Sequence, residues 1–504
     1  MYRRAATFCL LLLAMASATV AADEVNSPTA GAPAPAIEPL VRVVDLALGE
    51  SQEVTLCDGS RATVKLLKLD EIRDPIRNAI RRATMEVEVN GEKIELVSAN
   101  YELPKTIAGV QIDCPITGGY MSNSHRDAWG LEKDARLRLW PAGSPLVRPG
   151  TFVYPIRQRW FASSTQMANE PCYVNACETP SAKQIYYHNG LDFGGAEGLV
   201  EVVSATDGLV VASDTDILPG YEQSPVRPRA DVVYVLDGRG WYYRYSHLYK
   251  IDEAIRPGAR VAMGQRIGLL GKEGGSGGWS HLHFDITSVQ PSGKWGTQEG
   301  YAFVWEAYHR ERQPKLVAVA RPHHVAFAGE TVRLDGSRSW SAAGKPTSYR
   351  WTFTDGTTAE GAVMDRTYDK PGYYSEVLEV SDAQGRKDYD FAVVHVLDRA
   401  RPEPVPPAIH VVHNPSLGLR PGDEIAFKVR TFGTTEGHET WDFGDGSPAQ
   451  TTQSDGCVKT HNPDGYAILT HRYANPGIYL VRVERSDAEG RTAFGHVAVH
   501  VGKP

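Results

Sequence analysis

His281 and His283, one residue apart in "SHLHFDI", fall on one face of an extended strand, because successive side chains along a strand point to opposite sides. Further upstream, "YHNGLDFGG" supplies His188 and Asp192, and "YSHLYK" supplies His247. Two neutral imidazoles and one carboxylate fill three positions of a tetrahedral zinc site and leave the fourth for water, which is the arrangement a hydrolase needs. Each fragment alone has an ordinary reading. A His-x-x-x-Asp pair occurs on surfaces, a His-x-His on a strand can face solvent, and a histidine at a strand end can cap a turn. Their conjunction in one stretch of chain points to a shared site.

The elements that must carry these residues are strands. Leu282 and Phe284 are strongly apolar, so their face of the strand is expected to pack inward and the histidine face to open onto a cleft or solvent. Gly190, between His188 and Asp192, argues against a helix and for a loop or strand that turns both toward one point. "ADVVYVLDGRGWYYRYSHLY" reads as a hairpin turning at "DGRG", and "VAMGQRIGLLG" supplies further strands. The glycine-rich run "GKEGGSGGW" is not a phosphate loop, since Lys272 precedes the glycines instead of following them. It is expected to be a mobile loop walling a substrate groove.

In order and separation, "HNGLD", "YSHL" and "SHLHFD" closely resemble the lysostaphin/LytM-type zinc endopeptidases, exported enzymes that cut peptide cross-links in bacterial cell walls. The resemblance implies that His188, Asp192 and His283 are the ligands of one Zn2+. It implies that His281 and His247 are catalytic histidines beside the metal. A metal-activated water would then hydrolyse peptide bonds of peptidoglycan stem peptides or cross-bridges, with an imidazole moving the proton. Two other readings stay open: a zinc-binding regulator of cell-wall hydrolysis without turnover, and an adhesive or structural β-sandwich protein.

The rest of the chain frames that domain. At 504 residues it is too long for one core. A net charge of −8 provides no basic footprint and argues against nucleic acid as a partner. Arg3 and Arg4 precede the apolar run "FCLLLLAMASATVAA", which predicts a signal peptide over 1–22, export to a periplasm or cell surface, and no membrane span after its removal. A Pro/Ala linker follows at 23–39, then a β-rich domain at 40–147 with one expected helix near "DEIRDPIRNAIRRA", then the peptidase domain at 148–312.

The C-terminal third repeats itself. "SYRWTFTDG" matches "HETWDFGDG", and "YDKPGYYSEVLEVSDAQGR" matches "YANPGIYLVRVERSDAEGR". The offset from Pro371 to Pro476 exceeds that from Trp351 to Trp441, so the second copy carries an insertion, and Cys457 lies in it. Both copies resemble the polycystic kidney disease (PKD) domain, which implies immunoglobulin-like β-sandwiches at 313–398 and 408–504. They would serve as spacers or wall-contacting modules, two beads joined by a stiff Pro-rich linker at 399–407. The expected fold class is therefore mainly β and multidomain. Among the cysteines, Cys172 with Cys177 and Cys57 with Cys114 are possible pairs, leaving Cys457 free or bonded outside that scheme.

Overall fold

The computed structural model describes residues 34–76, 78–98, 101–121, 127–165, 171–172 and 186–502. The expected signal peptide lies outside the described residues, as does Cys177 of the Cys172–Cys177 pairing. No helix among the described residues is long and apolar enough to cross a membrane.

The N-terminal region forms two four-stranded antiparallel sheets. Alternation explains the longest strands: along Arg61–Arg73, Ala62, Val64 and Leu66 are fully buried while Arg61 and Thr63 face out. The helix expected near Asp70–Ala83 is absent. Arg61–Arg73 and Ile80–Val89 are instead antiparallel partners, joined through a turn after Asp74. Pro75 removes a helical donor there, and pairing of Ile80–Val89 with Glu92–Ser98 satisfies the backbone across strands. A buried Arg138 pairs bidentately with Asp113 and donates to the Glu299 carbonyl, which ties this region to the next.

The middle region is built on an eight-stranded antiparallel sheet. In it Leu191–Gly194 pairs with His281–Val289, which pairs with Tyr242–Ser246, which pairs with Val233–Asp237. The last two are the expected "DGRG" hairpin, with Leu236 opposite Tyr242. A smaller three-stranded sheet of Glu201–Val203, Arg266–Leu270 and Leu248–Ile251 lies beside it. Phe193, Tyr243, Tyr245, Leu282, Phe284 and Leu270 fill one shared core. The helix Tyr301–Arg312 adds Phe303, Val304 and Tyr308 to the same core.

Both C-terminal repeats are β-sandwiches whose motif aromatics do as the sequence implies. Trp351 and Phe353 lie in one core and Trp441 and Phe443 in the other, the latter pair stacked at 5.9 Å. They are not beads on a linker. Gly372–Ser381 of the first meets Thr492–Val501 of the second as parallel neighbours, so one nine-stranded sheet runs through both. Ser375 with His496, and the stacked Phe391 and His496, seal the junction. Cys57 and Cys114 are free thiols, which overturns that pairing, and Cys457 is disulfide-bonded.

Candidate metal centre

Cross-strand register brings the first residues together. Asp192 sits directly opposite His283, and Gly194 opposite His281, across the antiparallel pair that Leu191–Gly194 makes with the central strand. Directly opposed side chains share one face, so the Asp192 carboxylate and the His283 ring meet without any loop having to fold over them. His188 reaches the same point because the chain turns sharply at Gly190, where φ is +95°. A Cβ at Gly190 would stand 2.8 Å from the Phe284 carbonyl oxygen, so only glycine lets the turn pack this close to the central strand.

The resulting geometry is tight. His188 Nε2 lies 2.8 Å from His283 Nδ1 and 3.1 Å from Asp192 Oδ1, and His283 Nδ1 lies 3.0 Å from the same carboxylate oxygen. These three ligand atoms form a group that could hold a metal ion. Donor atoms of a tetrahedral zinc site stand about 3.3 Å apart, so the set fits with small adjustments. The donor chemistry fits as well. His283 Nε2 donates to Asp285 Oδ2 at 3.1 Å, which leaves Nδ1 as the ring's free lone pair, aimed at the other two. Arg244 braces Asp285 in turn at 3.4 Å. Burial opposes charge on Asp192, but His188, His281 and His283 outweigh it and hold the carboxyl well below the usual range.

His247 and His281 stand beside this trio. Their ring centroids are 4.7 Å apart, and His281 Nε2 is 3.6 Å from Asp192 Oδ1. His247 follows Tyr242–Ser246, the strand whose Ser246 is paired with His283. It occupies left-handed backbone space at φ +66°, a costly conformation for a non-glycine residue, and its amide is pinned by Asp231 Oδ2 at 2.8 Å. Its Nδ1 lies 2.6 Å from the Glu273 carbonyl, and His281 Nδ1 lies 3.0 Å from the Trp279 carbonyl. A carbonyl only accepts, so each Nδ1 carries the hydrogen and each Nε2 keeps its lone pair. Burial pushes His247 down to about 3 and lowers His281 as well, so both rings are neutral near pH 7.

All five residues singled out in the sequence are thus brought into one cluster. The histidine face of the central strand, however, is no solvated edge. All four rings are buried, and Asp192 is the most exposed of the five, with 17% of its side chain accessible. Sequence reasoning missed Asp285, Asp231 and Arg229. Asp285 continues the period-two face of His281 and His283, so alternation could have found it. Asp231 and its partner Arg229 reach His247 only through the tertiary fold and left no local signal. The glycine-rich run does adjoin the site but is anchored at both ends rather than hanging free.

Comparison with known proteins agrees with this architecture. Residues 186–294 match the family model for Peptidase family M23, and residues 313–396 and 408–496 each match a PKD domain model. The chain therefore carries an M23 peptidase domain followed by two PKD domains. It is similar to the peptidoglycan DD-endopeptidase ShyA of Vibrio cholerae serotype O1, at 32% identity over 133 residues. That match spans 26% of this chain and 26% of the relative, so the chain covers about a quarter of that protein's length. Among solved structures, a putative glycyl-glycine endopeptidase LytM from Ruminococcus gnavus aligns at 20% identity and TM-score 0.21, covering 32% of this chain and 61% of that one. Csd3 of Helicobacter pylori aligns at 15% identity and TM-score 0.20, covering 49% and 82%.

Proposed function

We propose that this chain is an exported zinc metalloendopeptidase that hydrolyses peptide bonds in the stem peptides or cross-bridges of peptidoglycan. The observation that carries the reading is the convergence of His188 Nε2, Asp192 Oδ1 and His283 Nδ1, with two neutral histidines alongside. Those three atoms would hold the ion. When bound, zinc supplies a Lewis acid that polarises the scissile carbonyl and acidifies a coordinated water.

The remaining chemistry belongs to the chain. His247 and His281 each keep Nε2 free of hydrogen, because the Nδ1 proton is committed to a backbone carbonyl. Either Nε2 can accept a proton from the attacking water and return it to the leaving amine. The resulting imidazolium would stand beside the developing oxyanion and stabilise it. The low pKa of His247 makes it a poor resting cation, so it waits in the accepting form. Asp285 and Arg244 keep His283 in the tautomer that presents Nδ1. The export half of the proposal rests on the N-terminal apolar run, and the substrate class on the M23 match and the similarity to ShyA.

The test is digestion of defined peptidoglycans by zinc-loaded full-length protein, with identification of the new amino termini by mass spectrometry. New peptide amino termini are expected. Zinc-replete protein that releases none from any cross-link type defeats the reading and leaves the regulator in its place.

A further inference from the structure

The insertion in the second PKD domain, which has no counterpart in the first, is not idle surface. It closes over residues 272–280, the glycine-rich run that leads into the His281 strand. Arg430, fully buried, spends all five of its donors at this junction, four on the insertion and one on Gly278. Nε and Nη2 bind Asp455 at 2.9 and 2.8 Å, Nη2 also reaches the Lys459 carbonyl at 2.7 Å, and Nη1 spans the Thr460 carbonyl at 2.7 Å and the Gly278 carbonyl at 2.9 Å. Gly278 accepts this approach because it has no Cβ: one would stand 2.7 Å from Arg430 Nη1, at φ +84°.

The grip continues along the run. His461 Nδ1 meets the Lys272 carbonyl at 3.2 Å, and Trp279 stacks on Phe432 with centroids 4.2 Å apart. The Ser280 amide donates to the Tyr466 hydroxyl at 2.8 Å, and His410 Nδ1 lies 2.8 Å from that hydroxyl. Lys428 reaches Glu197, the buried partner of Lys272. The carbonyls that accept from His247 and His281 belong to Glu273 and Trp279, inside this clamped run.

We infer that Arg430 and Tyr466 are positioning residues of the peptidase: the second PKD domain holds residues 272–280 so that the Glu273 and Trp279 carbonyls keep His247 and His281 as Nδ1–H tautomers. Removing the clamp lets the carbonyls drift, and an imidazole that loses its acceptor can present Nε2–H to the reacting atoms. Losses of this kind run about tenfold to a hundredfold.

The kinetic arm rests on the peptidase reading above; the spectroscopic arm does not. Zinc-loaded full-length Arg430→Met, Tyr466→Phe and the control Arg472→Ala, whose ion pair with Glu424 is exposed, would be compared with the parent. Zinc content and thermal unfolding would be followed, and histidine tautomers read by 15N NMR. Arg430→Met is expected to keep zinc, to lose about tenfold to a hundredfold in kcat with KM little changed, and to lose Nδ1–H signal from two histidines. Tyr466→Phe should move the same way by less, and Arg472→Ala should match the parent. Should Arg430→Met fail to fold with Asp455 left unpaired, Tyr466→Phe decides alone, since it removes one hydroxyl. Native tautomer signals together with native kcat in folded Tyr466→Phe would overturn the inference. A parent that holds zinc yet cleaves nothing would refute the peptidase reading, while the tautomer spectra would still decide the clamp.

Discussion

Asp192 lies directly across an antiparallel strand pair from His283, its Oδ1 3.0 Å from the ring Nδ1. The contact is set by sheet register, so the two atoms proposed to hold the metal are preorganised by backbone hydrogen bonds rather than by a flexible loop. Sliding either strand by one residue would turn its own side chain to the opposite face and part the pair.

His188→Ala, Asp192→Ala and His283→Ala should each purify without stoichiometric zinc, because two remaining donors make a weak site. Asp285→Ala should bind zinc about 10- to 100-fold more weakly, since it releases His283 from the tautomer that presents Nδ1. Metal analysis with competition against a chelator measures both. Full zinc retention in His283→Ala would reverse the ligand assignment.

His281→Ala and His247→Ala should keep zinc and lose about 10²- to 10⁴-fold in kcat, the usual contribution of a positioned acid–base group. Single-turnover cleavage of a cross-linked muropeptide separates chemistry from product release. If both variants turned over at the parental rate, the proton-transfer role would be untenable.

Chelation should abolish cleavage reversibly and lower the unfolding temperature of the peptidase region, because zinc binds the folded site in preference to the unfolded chain. Re-addition of zinc should restore both. Activity that survives exhaustive chelation, checked by metal analysis, contradicts the proposal.

Glu376, fully buried in the first PKD domain, accepts from the Thr354 amide at 2.7 Å, and burial raises its carboxyl from 4.5 to about 7. Between those values the folded state keeps a proton that the unfolded chain has released. Stability from this group is therefore greatest below about pH 4.5, falls as pH rises to about 7, and is flat beyond, a span on the order of 3 kcal/mol. Glu376→Gln should flatten that slope. Urea midpoints of the two proteins at pH 5 and pH 8 provide the comparison, and parallel slopes would exclude the buried acid.

Trp441→Ala should cost about 3–5 kcal/mol, since the ring is fully buried against Phe427 and Phe443 and its Nε1 donates to Thr452. Chemical denaturation monitored on the second sandwich gives the number. Because that sandwich clamps residues 272–280, the same variant should also lose activity at temperatures where the sandwich is melted.

Much of this protein is written locally. The types and order of His188, Asp192, His247, His281 and His283, the period-two strands around them, and the Trp-x-Phe and Asp-Gly signatures of both sandwiches follow from covalent neighbours and strand alternation. Such features need no knowledge of what the chain meets later. Four outcomes were settled only by the tertiary fold. Asp231 became a partner of His247, 16 residues further along the chain, through a turn that places it under that ring. A stretch with helical spacing after Asp70 became paired strands because neighbouring strands offered its backbone better partners. The two sandwiches fused through one parallel strand contact. The insertion around Cys457 came to rest on the glycine-rich run 272–280, where Arg430 found an acceptor distant along the chain. Each of these depends on hydrogen bonds between residues far apart in sequence, and no local pattern encodes the identity of a distant partner.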